Sequence, residues 1–201
     1  MIERIKRIHP SWVAAGVGFL ALIGAAGMRS TPSVLMVPIE EEFGWSRADL
    51  SVALSVNILM YGLTAPFAAA LMERFGVRRV VMGALTSIGL GAGFAVFATS
   101  PWVLVICWGF LVGCGTGSMA VVFAATIANR WFVAKRGMVS GGLGAASAAV
   151  NLVFLPIISK VTVVTGWRAA SFVAAGLAFL MVPIVFFFMK ERPSAIGTIP
   201  Y

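Results

Sequence analysis

An arginine stands inside AGMRSTPS, residues 26–33, within an apolar run that reaches from Trp12 to Val37. A charge near the centre of a membrane helix costs about 2.5–3.5 kcal/mol on insertion scales, so such a residue needs a compensating role. A guanidinium presents a planar fork of donors that matches a carboxylate, and Arg29 is the first candidate for binding a small anion. At about 1.5 Å of rise per residue it lies roughly 13 Å below the end of its run at Pro38. Pro32 cannot donate to the carbonyl of Met28, which predicts a kinked or loosened backbone there and, with Ser30 and Thr31, a local polar spot.

Other polar residues fall at a similar depth. Asn57, Tyr61 and Thr64 recur at i, i+4 and i+7, one face of a helix, and Asn57 and Tyr61 lie roughly 10 and 16 Å below the same side. Ser140, Gly144, Ser147 and Asn151 make a second stripe, with Asn151 at a comparable level. Arg29, Asn57, Tyr61 and Asn151 therefore form a candidate substrate site, Arg29 supplying charge and the other three hydrogen bonds. No carboxylate inside the apolar runs can neutralise Arg29. Plainer readings stand beside this one. Arg29 can snorkel to the outer surface or bond freed carbonyls, the two asparagines can join helices by hydrogen bonds, and Tyr61 can simply pack.

The remaining reactive residue types argue against an enzyme. The one histidine, His9, precedes the first apolar run, and no acidic pair lies within a run. Cys107 and Cys114 sit seven residues apart on one face of one helix, too far to bridge, and no metal-ligand spacing occurs. Neither a cofactor nor a metal is expected.

The elements that must position these residues are membrane helices. The 201-residue chain is 60% hydrophobic and 11% charged, where a soluble domain has about 25% charged residues, and the bilayer is its first partner. The net charge of +8 is split into short clusters between apolar runs, without a basic stripe, so nucleic acid is not a partner. The basic start and apolar middle of residues 1–26 resemble a signal peptide, but the run continues past Arg29 and more runs follow, as for an uncleaved first helix.

Six runs reach about the 20 residues that cross a bilayer core: Ser11–Pro38, Leu50–Met72, Val80–Thr99, Trp102–Asn129, Met138–Val164 and Ala169–Met189. They are too long and continuous for barrel strands, so the fold class is all-α integral membrane with six transmembrane helices. Eleven lysines and arginines (Arg4, Lys6, Arg7, Arg74, Arg78, Arg79, Arg130, Lys135, Arg136, Lys190, Arg192) fall on one side of this alternation. Only Arg47, Lys160 and Arg168 fall on the other, beside Glu40, Glu41 and Glu42. The positive-inside bias then puts both termini in the cytoplasm. Gly109, Gly113 and Gly117, and likewise Gly137 and Gly141, are spaced to let helix backbones approach. The second and fifth runs each carry a late proline (Pro66, Pro156) and one asparagine, as equivalent helices of two inverted three-helix repeats would.

The loop AALMERFGVRR, Ala69 to Arg79, resembles the signature of the major facilitator superfamily, commonly G-x-L-x-D-R-x-G-R-R, between its second and third helices. Arg74, Gly76, Arg78 and Arg79 match it, Glu73 lengthens the carboxylate, and Ala69 replaces a glycine. GMRSTPS, EEFGWSRADLS, ANRWFVAKRGMVSGG, TGWRAASF and the tail KERPSAIGTIPY are similar to segments of bacterial relatives of monocarboxylate and oxalate:formate transporters. Gly109 and GGLGAASAAV stand where proton-coupled drug exporters of the superfamily carry R-x-x-x-G and G-P-x-x-G-G.

The resemblance covers the first half of such a carrier. It implies a six-helix bundle over residues 1–189, the start of a central cytoplasmic loop over 190–201, and a bacterial-type inner membrane location. The implied function is secondary active transport of a small organic anion, a monocarboxylate or dicarboxylate, by alternating access. A second six-helix half, as a separate chain or a homodimer copy, is the implied partner. Glu73, Arg74, Gly76, Arg78 and Arg79, with Arg130 and Arg136 of the next inner loop, are the implied cytoplasmic gate, Glu73 pairing with Arg74, Arg78, Arg130 or Arg136. A truncated product and a non-transporting accessory or binding subunit are the rivals.

Overall fold

The computed structural model describes residues 10–191 apart from 120 and 134, and every regular element among them is a helix. Arg4, Lys6, Arg7, His9 and Arg192, with the tail to residue 201 and the side chain of Ser30, lie outside the described residues. Six long helices follow one another: α1 (Pro10–Phe43), α2 (Arg47–Phe75), α3 (Val77–Ala95), α4 (Pro101–Trp131), α5 (Arg136–Thr165) and α6 (Trp167–Phe188). Each coincides with one expected run to within a few residues. All but α3 are long and apolar enough to cross a membrane; α3 has 19 residues and carries Arg78 and Arg79 in its first turn. An apolar surrounding gives backbone amides no water, which favours helices that satisfy their own hydrogen bonds.

Local chemistry fixes the joints. Ser46 caps α2 in a reciprocal box: its Oγ accepts from the Asp49 amide and the Asp49 carboxylate accepts from the Ser46 amide, both at 3.2 Å. Gly76 (φ 90°, ψ 152°) joins α2 to α3, and Gly166 (φ 87°, ψ 163°) joins α5 to α6 with nearly the same backbone. A positive φ of this kind is strained for any residue with a Cβ. α1 stays helical through Pro32 and Pro38, so Pro32 removes an amide donor without breaking the helix. The Thr31 hydroxyl turns inward to donate to the Gly27 carbonyl at 2.9 Å.

Burial is unequal. In their most apolar windows α1 and α4 are each 56% buried and α6 33%, whereas α2 and α5 are each 11% buried. α4 lies at the centre because glycines let other backbones reach it. A Cβ on Gly109, Gly113 or Gly117 would come within 3.2, 2.9 and 2.6 Å of the carbonyl oxygens of Ala53, Asn57 and Tyr61, three positions spaced by four on α2. Gly115 meets the Ala84 carbonyl of α3 in the same way, at 2.7 Å. The close approach expected for Gly137 and Gly141 is not realised among the described residues: none of them lies within 4 Å of where those Cβ atoms would be, nor for Gly142 or Gly144.

The two ends of the bundle differ in charge. At one end Glu42 accepts from the Trp167 indole at 2.6 Å and from Arg168 at 2.8 Å, and Arg47 pairs with Glu40 at 3.1 Å. Phe43 stacks on Trp45 there, with ring centroids 4.4 Å apart. The opposite end gathers the arginines of α2, α3 and α4.

Candidate functional site

A cavity of about 250 Å³ opens between α1, α2, α4 and α5. Arg29 of α1, Tyr61 of α2, Thr116 of α4 and Ser147 and Asn151 of α5 line it, with Gly144 and Leu143 on the same α5 wall. Arg29 is the one charged side chain among the lining residues and is exposed to the opening. Its guanidinium carbon sits 4.1 Å from the centroid of the Tyr61 ring. Stacking of this kind contributes about 0.5–2 kcal/mol, depending on desolvation, and covers one face of the cation while its in-plane donors stay at the edge. The Gly117 ladder step, which touches the Tyr61 backbone, sets where that ring stands.

The α5 wall is polar by spacing. The Asn151 amide donates to the Ser147 carbonyl at 3.1 Å, and the Ser147 hydroxyl donates to the Leu143 carbonyl at 3.2 Å. Thr116 donates to the Val112 carbonyl at 2.8 Å. Those bonds use the hydroxyl protons of Ser147 and Thr116 and leave their oxygens as acceptors. One turn beyond Asn151, Phe154 lies against α1, its ring 2.8 Å from where a Cβ on Gly27 would be.

The structure brings Arg29, Tyr61 and Asn151 to this cavity and takes Asn57 elsewhere. The Asn57 side chain donates to the Trp108 carbonyl at 2.6 Å across the α2–α4 contact. Trp108 belongs to a π-helical stretch, Val105–Val112, whose wider turn displaces carbonyls from the regular ladder. Ser87 of α3 does the same for the Leu111 carbonyl at 2.8 Å. Asn57 thus bridges α2 and α4 and is not among the residues that line this cavity. Neither the π-helical stretch nor Thr116 and Met119 in the cavity wall had a sequence signal beyond small and apolar residue types.

At the arginine-rich end a second cavity, about 590 Å³, is lined by Glu73, Arg74, Gly76, Arg78, Arg79 and Arg130 among others. The pairing expected of Glu73 is not made: the ion pairs found among the described residues lie at the other end. Arg130 donates to the Met72 carbonyl at 3.3 Å, and Arg136, outside the cavity, donates to the Phe132 carbonyl at 2.7 Å. The carboxylate that engages this loop is Glu191, just past α6. It accepts from the amides of Val77 at 2.8 Å and Arg78 at 3.2 Å, two donors that the start of α3 leaves open. A Cβ on Gly76 would lie 2.5 Å from that carboxylate. Glu191 carried no sequence signal as a partner of α3, because 114 residues separate it from Val77.

Comparison with known proteins agrees with this architecture. Residues 18–200 match the family model of the Major Facilitator Superfamily. The chain is 27% identical over 92% of its length to the MFS-type transporter YcxA of Bacillus subtilis, and 28% identical over 86% to monocarboxylate transporter 11 of Mus musculus. It is 27% identical over 92% of its length to the oxalate:formate antiporter of Oxalobacter formigenes. It spans 45%, 38% and 44% of those proteins, less than half of each. Family and helices together make this a multi-pass membrane protein, and the chain belongs to the major facilitator superfamily.

Proposed function

We propose that the chain supplies one half of a carrier for a small organic anion, with Arg29 as the charge that selects it. The observation that carries this reading is the cavity itself. One guanidinium, stacked on Tyr61, faces polar groups of Ser147, Thr116 and Asn151 without a carboxylate among the lining residues. A guanidinium with its face covered and its edge open favours a planar, bidentate carboxylate. The names of two relatives, an oxalate:formate antiporter and a monocarboxylate transporter, support the same substrate class.

In this reading six helices cross the membrane with both termini cytoplasmic, in a bacterial-type inner membrane. α1–α3 and α4–α6 form two inverted units, a relation supported by the matching backbones at Gly76 and Gly166. A second six-helix half, separate chain or second copy, completes the central site, and rocking of the two halves alternates access. Glu73, Arg74, Gly76, Arg78, Arg79, Arg130 and Arg136 form the cytoplasmic gate, and Glu191 holds the α2–α3 loop to the end of α6.

Equilibrium binding of labelled acetate and oxalate to the chain in liposomes tests the substrate class. Saturable binding displaced by unlabelled carboxylate but not by the neutral amide is expected; binding that ignores the charge of the competitor overturns it.

A further inference from the structure

We propose that the cavity at the arginine-rich end is a binding site for the phosphate headgroup of an anionic phospholipid. At about 590 Å³ it is more than twice the volume of the Arg29 cavity. Arg74 ends α2, Arg78 and Arg79 begin α3, and Arg130 ends α4, so guanidiniums from three helices turn toward one space. Among the described lining residues Glu73 and Glu191 are the only carboxylates, against four arginines. Glu191 is already committed to the Val77 and Arg78 amides. Topology explains why basic residues gather on one side of a membrane protein. It does not explain why four from separate elements line a single cavity.

The rest of the wall decides which anion fits. Met72, Met82, Phe75 and Phe186 make it apolar, and Phe186 lies under the Arg78 guanidinium at 4.3 Å. From there the same face of α6 runs back into its apolar stretch through Phe179, seven residues earlier, which lines an apolar groove with Leu90 and Phe94 of α3. A phosphate flanked by arginines, with an apolar path leading away from it, is the shape of a lipid headgroup and its chain; inorganic phosphate uses only the first part. The amides of Val77 and Arg78 already grip a carboxylate at 2.8 and 3.2 Å, so anion-binding geometry exists on this wall. The inference rests on this end lying at a membrane surface and is independent of Arg29, whose role can fail without affecting it.

The test is retention of phosphatidylglycerol against phosphatidylcholine by the detergent-purified chain, read by mass spectrometry of the intact complex. Wild type is expected to keep phosphatidylglycerol selectively. The double variant Arg78→Gln/Arg79→Gln should weaken retention by about twenty-five-fold, roughly fivefold per arginine. Lys135→Gln, which removes a charge outside the cavity lining, should stay close to wild type. Equal losses from the double variant and Lys135→Gln would reduce the effect to general surface charge and overturn the site. Met82→Trp, which fills the cavity and leaves every charge in place, should also release the lipid, and unchanged retention there would overturn it too. Displacement by inorganic phosphate at the same concentration as by lipid would make the ligand free phosphate instead. Helicity by circular dichroism checks that each variant is folded.

Discussion

α2 and α5 each carry one asparagine within the apolar stretch and one proline late in it, Asn57 with Pro66 and Asn151 with Pro156. Each also buries only 11% of its most apolar window. They are attached in different ways. α2 lies backbone to backbone on the Gly109, Gly113 and Gly117 ladder of α4, and its asparagine is spent on the Trp108 carbonyl. α5 keeps its own glycines facing open space, meets α1 through Phe154 on Gly27, and turns its asparagine to the cavity. The difference teaches that the cavity has one wall held by backbone contact, which presents the Tyr61 ring to Arg29, and one wall held by side chains.

Substitutions on the two helices should separate these attachments. The largest expected effect is Gly117→Ala, whose Cβ would meet the Tyr61 carbonyl at 2.6 Å and force two backbones apart. Overpacking of this kind costs about 1–3 kcal/mol, read as a lower melting temperature of the purified chain. Gly141→Ala, with no described residue within 4 Å, should leave stability unchanged or raise it by less than about 1 kcal/mol, with no lowering of the melting temperature. Equal losses at both positions would erase the distinction.

Tyr61→Leu should come next. Losing the ring under Arg29 is expected to weaken carboxylate binding by about 1–2 kcal/mol, roughly five- to thirtyfold, while Tyr61→Phe keeps the stack and most of the affinity. The asparagines should then part company. Asn57→Ala is expected to cost about 0.6–1.7 kcal/mol of stability with little change in binding. Asn151→Ala should do the reverse, and a stability loss without a binding loss there would move it to the same role as Asn57. The smallest effect is expected at the far end, where breaking the exposed Arg47–Glu40 pair with Arg47→Gln should shift the melt by no more than about 1 kcal/mol.

Much of the architecture was legible because membrane helices announce themselves by length and hydropathy, and depth counting along them put Arg29, Asn57, Tyr61 and Asn151 at comparable levels. The partner of Asn57 was not legible: it is a carbonyl in a π-helical stretch, and nothing in VICWGFLV marks that change of pitch. The glycines teach the same lesson from the other side. The spacing in GFLVGCGTG and in GMVSGG is alike, but whether a glycine is a contact or a vacancy depends on what the fold brings opposite, and only the first set meets a helix. Glu73 was the natural acid for the arginine loop by position in its motif. Glu191 took part of that task because α6 ends beside the start of α3, a tertiary fact with no local trace.

The central claim is that Arg29 supplies the charge that binds an organic anion, and titration calorimetry of the purified chain with oxalate tests it most directly. The account predicts saturable binding by wild type, a loss of roughly ten- to hundredfold in Arg29→Gln, and partial retention in Arg29→Lys. Oxalate binding of unchanged affinity in a folded Arg29→Gln variant would contradict it.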